Sequence, residues 1–396
     1  MTVLRIFCYN RMNLVSMVLD CLSLKYGVEL MKYRNSSMTE LLDLARDKTL
    51  ICFGAGQQLE LACEGFADAS FFEKIDLIAD NSKEKQVFYF DGREKLVYQI
   101  NACLKLAEKE PLILVTMLDC MDVIKQLDSI PELDNCNCYI FTFVRDFIDP
   151  YKLPVNRVER EPIKIPKIIH YCWFGGKPIR EDFKAYIETW KKYCPDYEIV
   201  CWNESNYDYK QNDYMYEAHR QKKWGFVPDY ARLDIIYRYG GVYMDTDVEL
   251  VRNIDDLLCD NAFCGFESRH YVANGLGFGA VVGFPIIKEQ MKIYDEISFV
   301  NSDGSLNLTS GPWYQTRTFR ELGLKLNNAL QEIQGMKVYP SDVLSPMNLS
   351  TGQIVKTDNT YAIHHYSATW FDDIQRKKME MLRKRLVCLT DIFHKG

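Results

Sequence analysis

Asp245 and Asp247 stand one residue apart after the short apolar run VYM, in the stretch FVPDYARLDIIYRYGGVYMDTDVEL at 226–250. On extended backbone the side chains alternate faces, so carboxylates at i and i+2 point the same way. Such a pair suits a hard divalent cation, Mg2+ or Mn2+, which takes one or two protein carboxylates and leaves its other positions to water and phosphate. A solvated strand-end turn is the plain alternative. Asp229 and Arg232 come just before, three residues apart, and therefore share a helix face. They form either a surface ion pair of little energetic weight or part of the same site.

The elements that must hold these residues read directly from the pattern. A helix is expected over 229–239, a turn at Gly240 and Gly241, and a strand over 242–244. Upstream, IPKIIHYCWFGGKP predicts a buried strand over 167–171 that runs into Trp173, Phe174 and a Gly175-Gly176 turn. A helix at 182–193 and a strand at 197–202 follow. In open α/β sheets ligands bind at loops that leave the strand ends, so Trp173 either stacks on a nucleobase or fills the rim. Downstream, a strand is expected over 263–267. The glycine-rich loop from Asn274 to Gly279 permits close backbone approach, and Ser310-Gly311-Pro312 reads as a turn.

Four segments in order, IPKIIHYCWFGG, PDYEIVCWN, FVPDYARLDIIYRYGGVYMDTDVEL and YAIHHYSATW, together resemble glycosyltransferase family 32, the DXD sugar-binding group, over about 165–370. The resemblance implies a GT-A type α/β domain that uses a divalent metal and a nucleotide-sugar donor. It implies that Asp245 and Asp247 hold the metal. Asp229 and Arg232 would face the donor sugar, with Asn274 as a further donor or acceptor contact and Trp173 facing the base. A histidine of the C-terminal motif would join the metal. His364 and His365 point to opposite sides of a strand, so one of them faces it, with His364 preferred. Trp370 would close over the diphosphate through its indole N–H. This chain has Thr369 where the family often has Ser before that tryptophan, which preserves the hydroxyl. Asp234, on another helix face, reads as structural.

The N-terminal half lies outside that resemblance. Strand patterns at 49–53, 75–79, 112–116 and 139–143 alternate with helical stretches near 94–108 and 120–127, which predicts a small parallel sheet. Gly54-Ala55-Gly56 follows the first of these strands, and Asp80-Asn81 ends the second, where a dinucleotide site would carry its ribose-binding acid. Leu59 replaces the third glycine of that fingerprint. The half is similar to short Rossmann-like domains beside polysaccharide-biosynthesis enzymes, either a docking module or a ligand-binding one. Prolines and charges over 149–164 predict a linker, so the expected layout is a Rossmann-like domain at 1–148, the linker, and a GT-A domain at 165–396.

Composition sets the outer limits. The chain has 396 residues, 47% apolar and 26% charged, with a net charge of -7, so it fits two globular domains and offers no broad basic field for nucleic acid. Its 14 cysteines are scattered, without paired metal-site spacing, and read as reduced. Arg5, Arg11 and Asp20 interrupt the apolar N-terminus, which matches neither a signal peptide nor a membrane span, and a cytoplasmic chain is expected. After Trp370, Arg376, Lys377, Lys378, Arg383, Lys384 and Arg385 accompany Met379, Leu382, Leu386 and Leu389 at helical spacing. This is either a solvated terminal helix or a peripheral membrane contact at the inner face of the cell membrane.

The expected function is a metal-dependent glycosyltransferase, and the resemblance implies that it retains anomeric configuration. It would move a hexose or N-acetylhexosamine from a nucleotide sugar, UDP-linked by preference, to a growing surface glycan such as capsule or O-antigen, with a lipid-linked acceptor. The alternatives are an NAD-dependent sugar-modifying oxidoreductase or epimerase acting through Gly54 to Gly56, and a non-catalytic glycan or nucleotide-sugar binding module.

Overall fold

The run TLICF combines β-branched Thr49 and Ile51 with apolar Leu50, Cys52 and Phe53, and all five residues are buried as strand β2 (Thr49–Phe53). It lies at the centre of the first of two compact units into which the chain divides, with the main boundary between Val144 and Arg145. The computed structural model describes residues 32–65, 71–147, 151–154 and 156–367, together with 377, 380–384 and 387.

In the first unit β2 is joined by β1 (Lys32–Arg34), β3 (Leu77–Ala79), β4 (Val87–Phe90), β5 (Arg93–Tyr98), β6 (Pro111–Val115) and β7 (Asn137–Ile140). Among the described residues these form a sheet in the order β1-β7-β6-β2-β3-β5-β4. Every pairing is parallel except the β4–β5 hairpin. Helices α1 (Met38–Ala45), α2 (Gln57–Gly65), α3 (Ile100–Leu106) and α4 (Met121–Asp128) lie between the strands. The side chain of Ser37 caps α1 by accepting the Glu40 N–H.

Three expectations change here. The helix expected over 94–108 is strand β5 followed by the short α3, because Asp91 and Gly92 take φ of 50° and 72° and close a tight hairpin. The strand expected over 139–143 ends at Ile140, and the chain turns helical at Phe141–Asp146. Asp80 does not face outward for a ribose. Its carboxylate accepts the N–H of Ala55 at 2.8 Å and of Ser82 at 2.8 Å, and pairs with Lys85 at 3.2 Å. Burial opposes the charge, but these donors prevail and hold its pKa below the usual range. A Cβ at Gly54 would lie 2.7 Å from the Thr116 carbonyl oxygen, so the glycine serves close packing onto β6.

The second unit carries β8 (Ile168–Cys172), β9 (Glu198–Trp202), β10 (Gly241–Tyr243), β12 (Ala262–Gly265), β13 (Phe278–Ala280), β14 (Gln331–Ile333) and β15 (Met336–Tyr339) in the order β14-β15-β12-β13-β10-β8-β9. A separate ribbon pairs β11 (Val248–Leu250) with β16 (Ala362–His364). Strands β9, β8 and β10 run parallel, while β13 runs against β10. This is a mixed α/β sheet, with the acidic loop leaving the C-terminal end of β10.

Five helices matter for the site: α5 (Glu181–Tyr193), α6 (Asp213–Arg220), α7 (Val227–Tyr239), α8 (Pro285–Glu296) and α9 (Gly311–Glu321). Pro228 opens α7, where a missing N–H costs nothing. Unlike an amphipathic surface helix, α7 is buried nearly all round, with Val227, Ala231, Leu233, Ile235 and Ile236 fully enclosed. It also buries Asp229, Arg232 and Asp234. Charges so placed need partners.

The stretch expected as a linker packs on this unit. Arg157 is buried and donates to Asp260 at 2.8 Å and to Glu161 at 2.7 Å, and the Leu153 N–H reaches Asn359 at 3.0 Å. Its proline and charge content hid a set of fixed contacts. Among the described residues no helix is long and apolar enough to cross a membrane. Of the basic C-terminal segment, Arg376, Lys378 and Arg385 lie outside the described residues, while Arg383 donates to the Leu349 carbonyl at 3.4 Å.

Candidate functional site

Strand β10 delivers Tyr243 and Asp245 to one face, and the Tyr243 hydroxyl donates to Asp245 Oδ1 at 3.0 Å. The Asp245 N–H in turn donates to the Gly275 carbonyl at 3.0 Å. A Cβ at Gly275 would fall 2.2 Å from Asp245 Oδ2, so only glycine lets that loop close over the carboxylate. From α7, Arg232 reaches between two acids. Its Nη2 lies 3.3 Å from Asp229 Oδ1 and 3.4 Å from Asp245 Oδ1, its Nε donates to the Pro228 carbonyl, and its guanidinium stands 5.1 Å from the Tyr243 ring centre.

Asp247 meets the C-terminal motif through the ribbon. Val248 pairs with His364, and the His365 N–H donates to the Asp247 carbonyl at 3.0 Å. This register sets His364 Nε2 3.0 Å from Asp247 Oδ1. The next turn passes through Tyr366 at φ 46°, a conformation costly for a bulky residue, which brings the Ser367 N–H to 2.8 Å from Asp247 Oδ2. Tyr366 is itself fixed by Ser345 at 2.7 Å and lies against the His364 ring.

Ligand atoms of Asp245, Asp247 and His364 all lie within 4.8 Å of one another. Two carboxylates and an imidazole are a suitable donor set for Mn2+ or a related divalent ion. His364 Nδ1 is buried without a hydrogen-bond partner among the described residues, the kind of atom that a bound group or ordered water completes. The residues present fit a divalent cation.

A family model described as "Glycosyltransferase sugar-binding region containing DXD motif" matches residues 180–264, which include Asp229, Arg232, Asp245 and Asp247. The second unit carries a glycosyltransferase DXD region. Inositol phosphoceramide mannosyltransferase 3 of Schizosaccharomyces pombe is 30% identical over 139 residues, 34% of this chain and 38% of that protein. Human alpha-1,4-N-acetylglucosaminyltransferase is 30% identical over 130 residues, 33% of this chain and 35% of that protein. The chain thus spans less than two fifths of the length of either relative. Among solved structures, PaToxG glycosyltransferase is 21% identical, covering 41% of this chain and 72% of that chain with a TM-score of 0.34.

Electrostatics within the DXD region follow from burial and pairing. Burial pushes the Asp229 carboxyl up to about 7, with Arg232 opposing and the Asp245 charge adding to the rise. Burial also opposes the charge of Asp247, yet His364 and the Ser367 N–H hold its pKa well below the usual carboxylate range. His364 is penalised by burial in its charged form, but Asp247 outweighs that and its pKa rises.

Other residues singled out by sequence stand elsewhere. His365 turns away from the acidic pair, bonding Glu249 at 2.9 Å and stacking on Tyr186 with ring centres 4.3 Å apart. Strand alternation explains this: one histidine faces the DXD carboxylates and the next faces α5. The Asn274 side chain donates to Gln290 at 2.8 Å, and its N–H donates to Gln315 at 2.9 Å, so it braces the glycine loop from within the protein. Trp173 is partly exposed after β8, with its indole N–H donating to the Lys177 carbonyl and its ring edge-on to Phe183. Asp234 bonds Tyr207, Gln211 and Arg238, a structural set. Trp370 lies outside the described residues.

Sequence reasoning passed over Tyr243, whose place two residues before Asp245 puts both on one strand face, and gave no role to the Ser367 N–H. It read Ser310-Gly311-Pro312 as a turn, whereas Gly311 opens helix α9 beside Asp229. A Cβ there would lie 2.8 Å from Asp229 Oδ1.

Proposed function

We propose that this chain is a metal-dependent, retaining glycosyltransferase. It moves a hexose or N-acetylhexosamine from a nucleotide sugar, UDP-linked by preference, to a growing surface glycan such as capsule or O-antigen. The observation that carries this reading is the run of mutually paired groups from buried Asp229 and Arg232 to half-buried Asp245, set beside Asp247 and His364. Gathering charges away from water is costly even when they are paired, and such clusters concentrate at binding and catalytic sites.

Breaking the anomeric bond of a nucleotide sugar leaves negative charge on the diphosphate. A divalent ion held by Asp245, Asp247 and His364 would supply Lewis-acid neutralisation of that charge. Arg232 contributes a permanent positive charge on the same side, and its pairing with Asp229 fixes the carboxylate that accepts bonds from sugar hydroxyls. The acceptor hydroxyl attacks from the leaving-group face, with a phosphate oxygen taking its proton, rather than through a double displacement.

The two relatives differ in the sugar they are named for, mannose and N-acetylglucosamine, so the donor panel must include GDP-mannose alongside UDP-sugars. Inositol phosphoceramide, named in the fission-yeast relative, is a lipid, which favours a lipid-linked acceptor. With it goes a cytoplasmic protein held at the inner face of the membrane through its basic C-terminal segment. The test is incubation with Mn2+ and each donor, reading release of nucleoside diphosphate and protection against thermal unfolding. Proton NMR of the product then reads the anomeric configuration, and an inverted product would sink the retaining mechanism.

A further inference from the structure

Backbone N–H groups enclosed in a protein need acceptors. Val272, Ala273 and Asn274, which lead into the glycine loop, are all buried, and Ala273 is extended at φ −133° and ψ 109°. Along such a segment successive N–H groups point to opposite sides. On one side β12 serves as partner: Phe266 bridges Val272, and the Ala273 N–H donates to the Gly265 carbonyl at 3.2 Å. On the other side the acceptors are side chains of helix α9. Thr316 Oγ1 accepts the Val272 N–H at 2.9 Å, and Gln315 Oε1 accepts the Asn274 N–H at 2.9 Å. The Thr316 hydroxyl donates its own proton to the Pro312 carbonyl at 2.6 Å, which leaves its lone pairs for Val272. Gln315 holds Asn274 although its Nε2 is left buried without a partner among the described residues, a cost that plain packing of α9 would not require.

The next residue carries this anchorage to the acidic pair. The Gly275 carbonyl accepts the Asp245 N–H at 3.0 Å, and its missing Cβ leaves the room that Asp245 Oδ2 occupies. Helix α9 also reaches the other acid, since a Cβ at Gly311 would lie 2.8 Å from Asp229 Oδ1. Gly311 and Gln315 are one helical turn apart and share a face of α9. Arg232 closes the circuit, with Nη2 3.3 Å from Asp229 and 3.4 Å from Asp245. One helix thus bears on both carboxylates.

We propose that Gln315 and Thr316 are positioning residues for Asp245. From α9 they hold the segment 272–275 that seats the Asp245 carboxylate for a divalent cation, while Gly311 of the same helix abuts Asp229. This rests on the reading of Asp245 as a metal ligand. Removing either acceptor leaves a buried N–H unpaired, so the segment must shift to find water or another partner. Gly275 shifts with it, and Asp245 loses its seat.

The test uses the full chain with Gln315→Met and Thr316→Val, which keep the side-chain size and remove the acceptor, and with Thr316→Ser, which keeps the hydroxyl. Glu217→Ala is the comparison for simple loss of stability. Its carboxylate accepts the Phe299 and Val300 N–H groups at 2.8 Å and 2.9 Å, in the same unit. Mn2+ titration followed by electron paramagnetic resonance reads the metal site. Hydrogen–deuterium exchange of the metal-free protein, read by mass spectrometry in the peptide carrying Asp245, reports the bond to Gly275. Gln315→Met and Thr316→Val are expected to weaken Mn2+ binding and to speed that exchange on the order of tenfold each, with Thr316→Ser within about twofold of the parent. Glu217→Ala is expected to lower the melting temperature by a similar amount, about 3–8 °C, with both readouts at parental values. Parental Mn2+ affinity in folded Gln315→Met and Thr316→Val overturns the proposal, and so does an equal loss in Glu217→Ala. Exchange needs no metal, so a parent chain that binds no Mn2+ would overturn the metal reading while exchange at Asp245 still decides whether α9 holds it.

Discussion

His364 Nε2 lies 3.0 Å from Asp247 Oδ1 although 117 residues separate them in the chain. The β11–β16 pairing creates this proximity, because Val248 opposite His364 places the acid beside the imidazole. His365, one residue on, is committed to Glu249 and Tyr186. His364→Ala is therefore predicted to weaken Mn2+ binding on the order of 10- to 100-fold or more. His365→Ala should leave it within about twofold, since that side chain faces Glu249 and Tyr186 rather than the acids. Titration of Mn2+ followed by electron paramagnetic resonance distinguishes the two.

Gly275→Ala tests the approach of the glycine loop to Asp245. The added methyl would meet Asp245 Oδ2 at 2.2 Å, so the carboxylate must shift. Displacement of a reacting group by about 1 Å costs roughly a hundredfold in rate. The expected outcome is that loss in kcat with a folded protein, read by donor cleavage and circular dichroism. Full activity in the variant would show that Asp245 is not held where the chemistry needs it.

Acid stability follows from two buried histidines. Burial lowers the pKa of His170 to about 4 despite its bond to the Gly240 carbonyl, and lowers that of His270 to about 4. Unfolded histidine titrates near 6.5. Between those values the unfolded chain binds protons that the folded chain does not, so stability is full above pH 6.5 and falls as pH drops toward 4. Each site contributes up to about 3 kcal/mol to that loss. Melting temperatures across pH 4 to 7 check the trend, and Asp247, with its depressed pKa, adds to the fall only at more acid pH.

In the first unit, Asp80→Ala removes the acceptor for the Ala55 and Ser82 N–H groups. A loss of about 1–2 kcal/mol in the stability of that unit is expected, with donor cleavage unchanged. Urea unfolding measures the first and the nucleotide-release assay the second. Protection of the parent by NAD would instead favour the oxidoreductase alternative.

The second unit was the more legible part of the sequence, for a local reason. The α7 helix, the glycine turn, β10 and the Asp245–Asp247 pair fall within 25 consecutive residues, and periodicity places them without tertiary information. The partners of these residues come from long-range register. Strand alternation allowed one of His364 and His365 to face the acids, but the choice depends on which β11 residue each opposes. Asn274 looked like a ligand contact because its glycine loop is open to close approach, whereas Gln290 on α8 draws the side chain inward. The stretch 149–164 looked like a spacer because prolines and charges dominate it, and the burial of Arg157 depends on Asp260, 103 residues away. The β4–β5 hairpin was missed although Asp91-Gly92 signals it, since the residues after it also satisfy a helical pattern.

If the paired acids and His364 serve metal-dependent cleavage of a nucleotide sugar, cleavage must depend on both the metal and Asp247. The direct measurement is nucleoside diphosphate release with Mn2+ across UDP- and GDP-sugars, for the parent chain and for Asp247→Asn. The expected result is release from at least one donor, its loss on chelation, and a fall of at least about a hundredfold in Asp247→Asn without loss of fold. Release that persists undiminished in the variant or under chelation would contradict it.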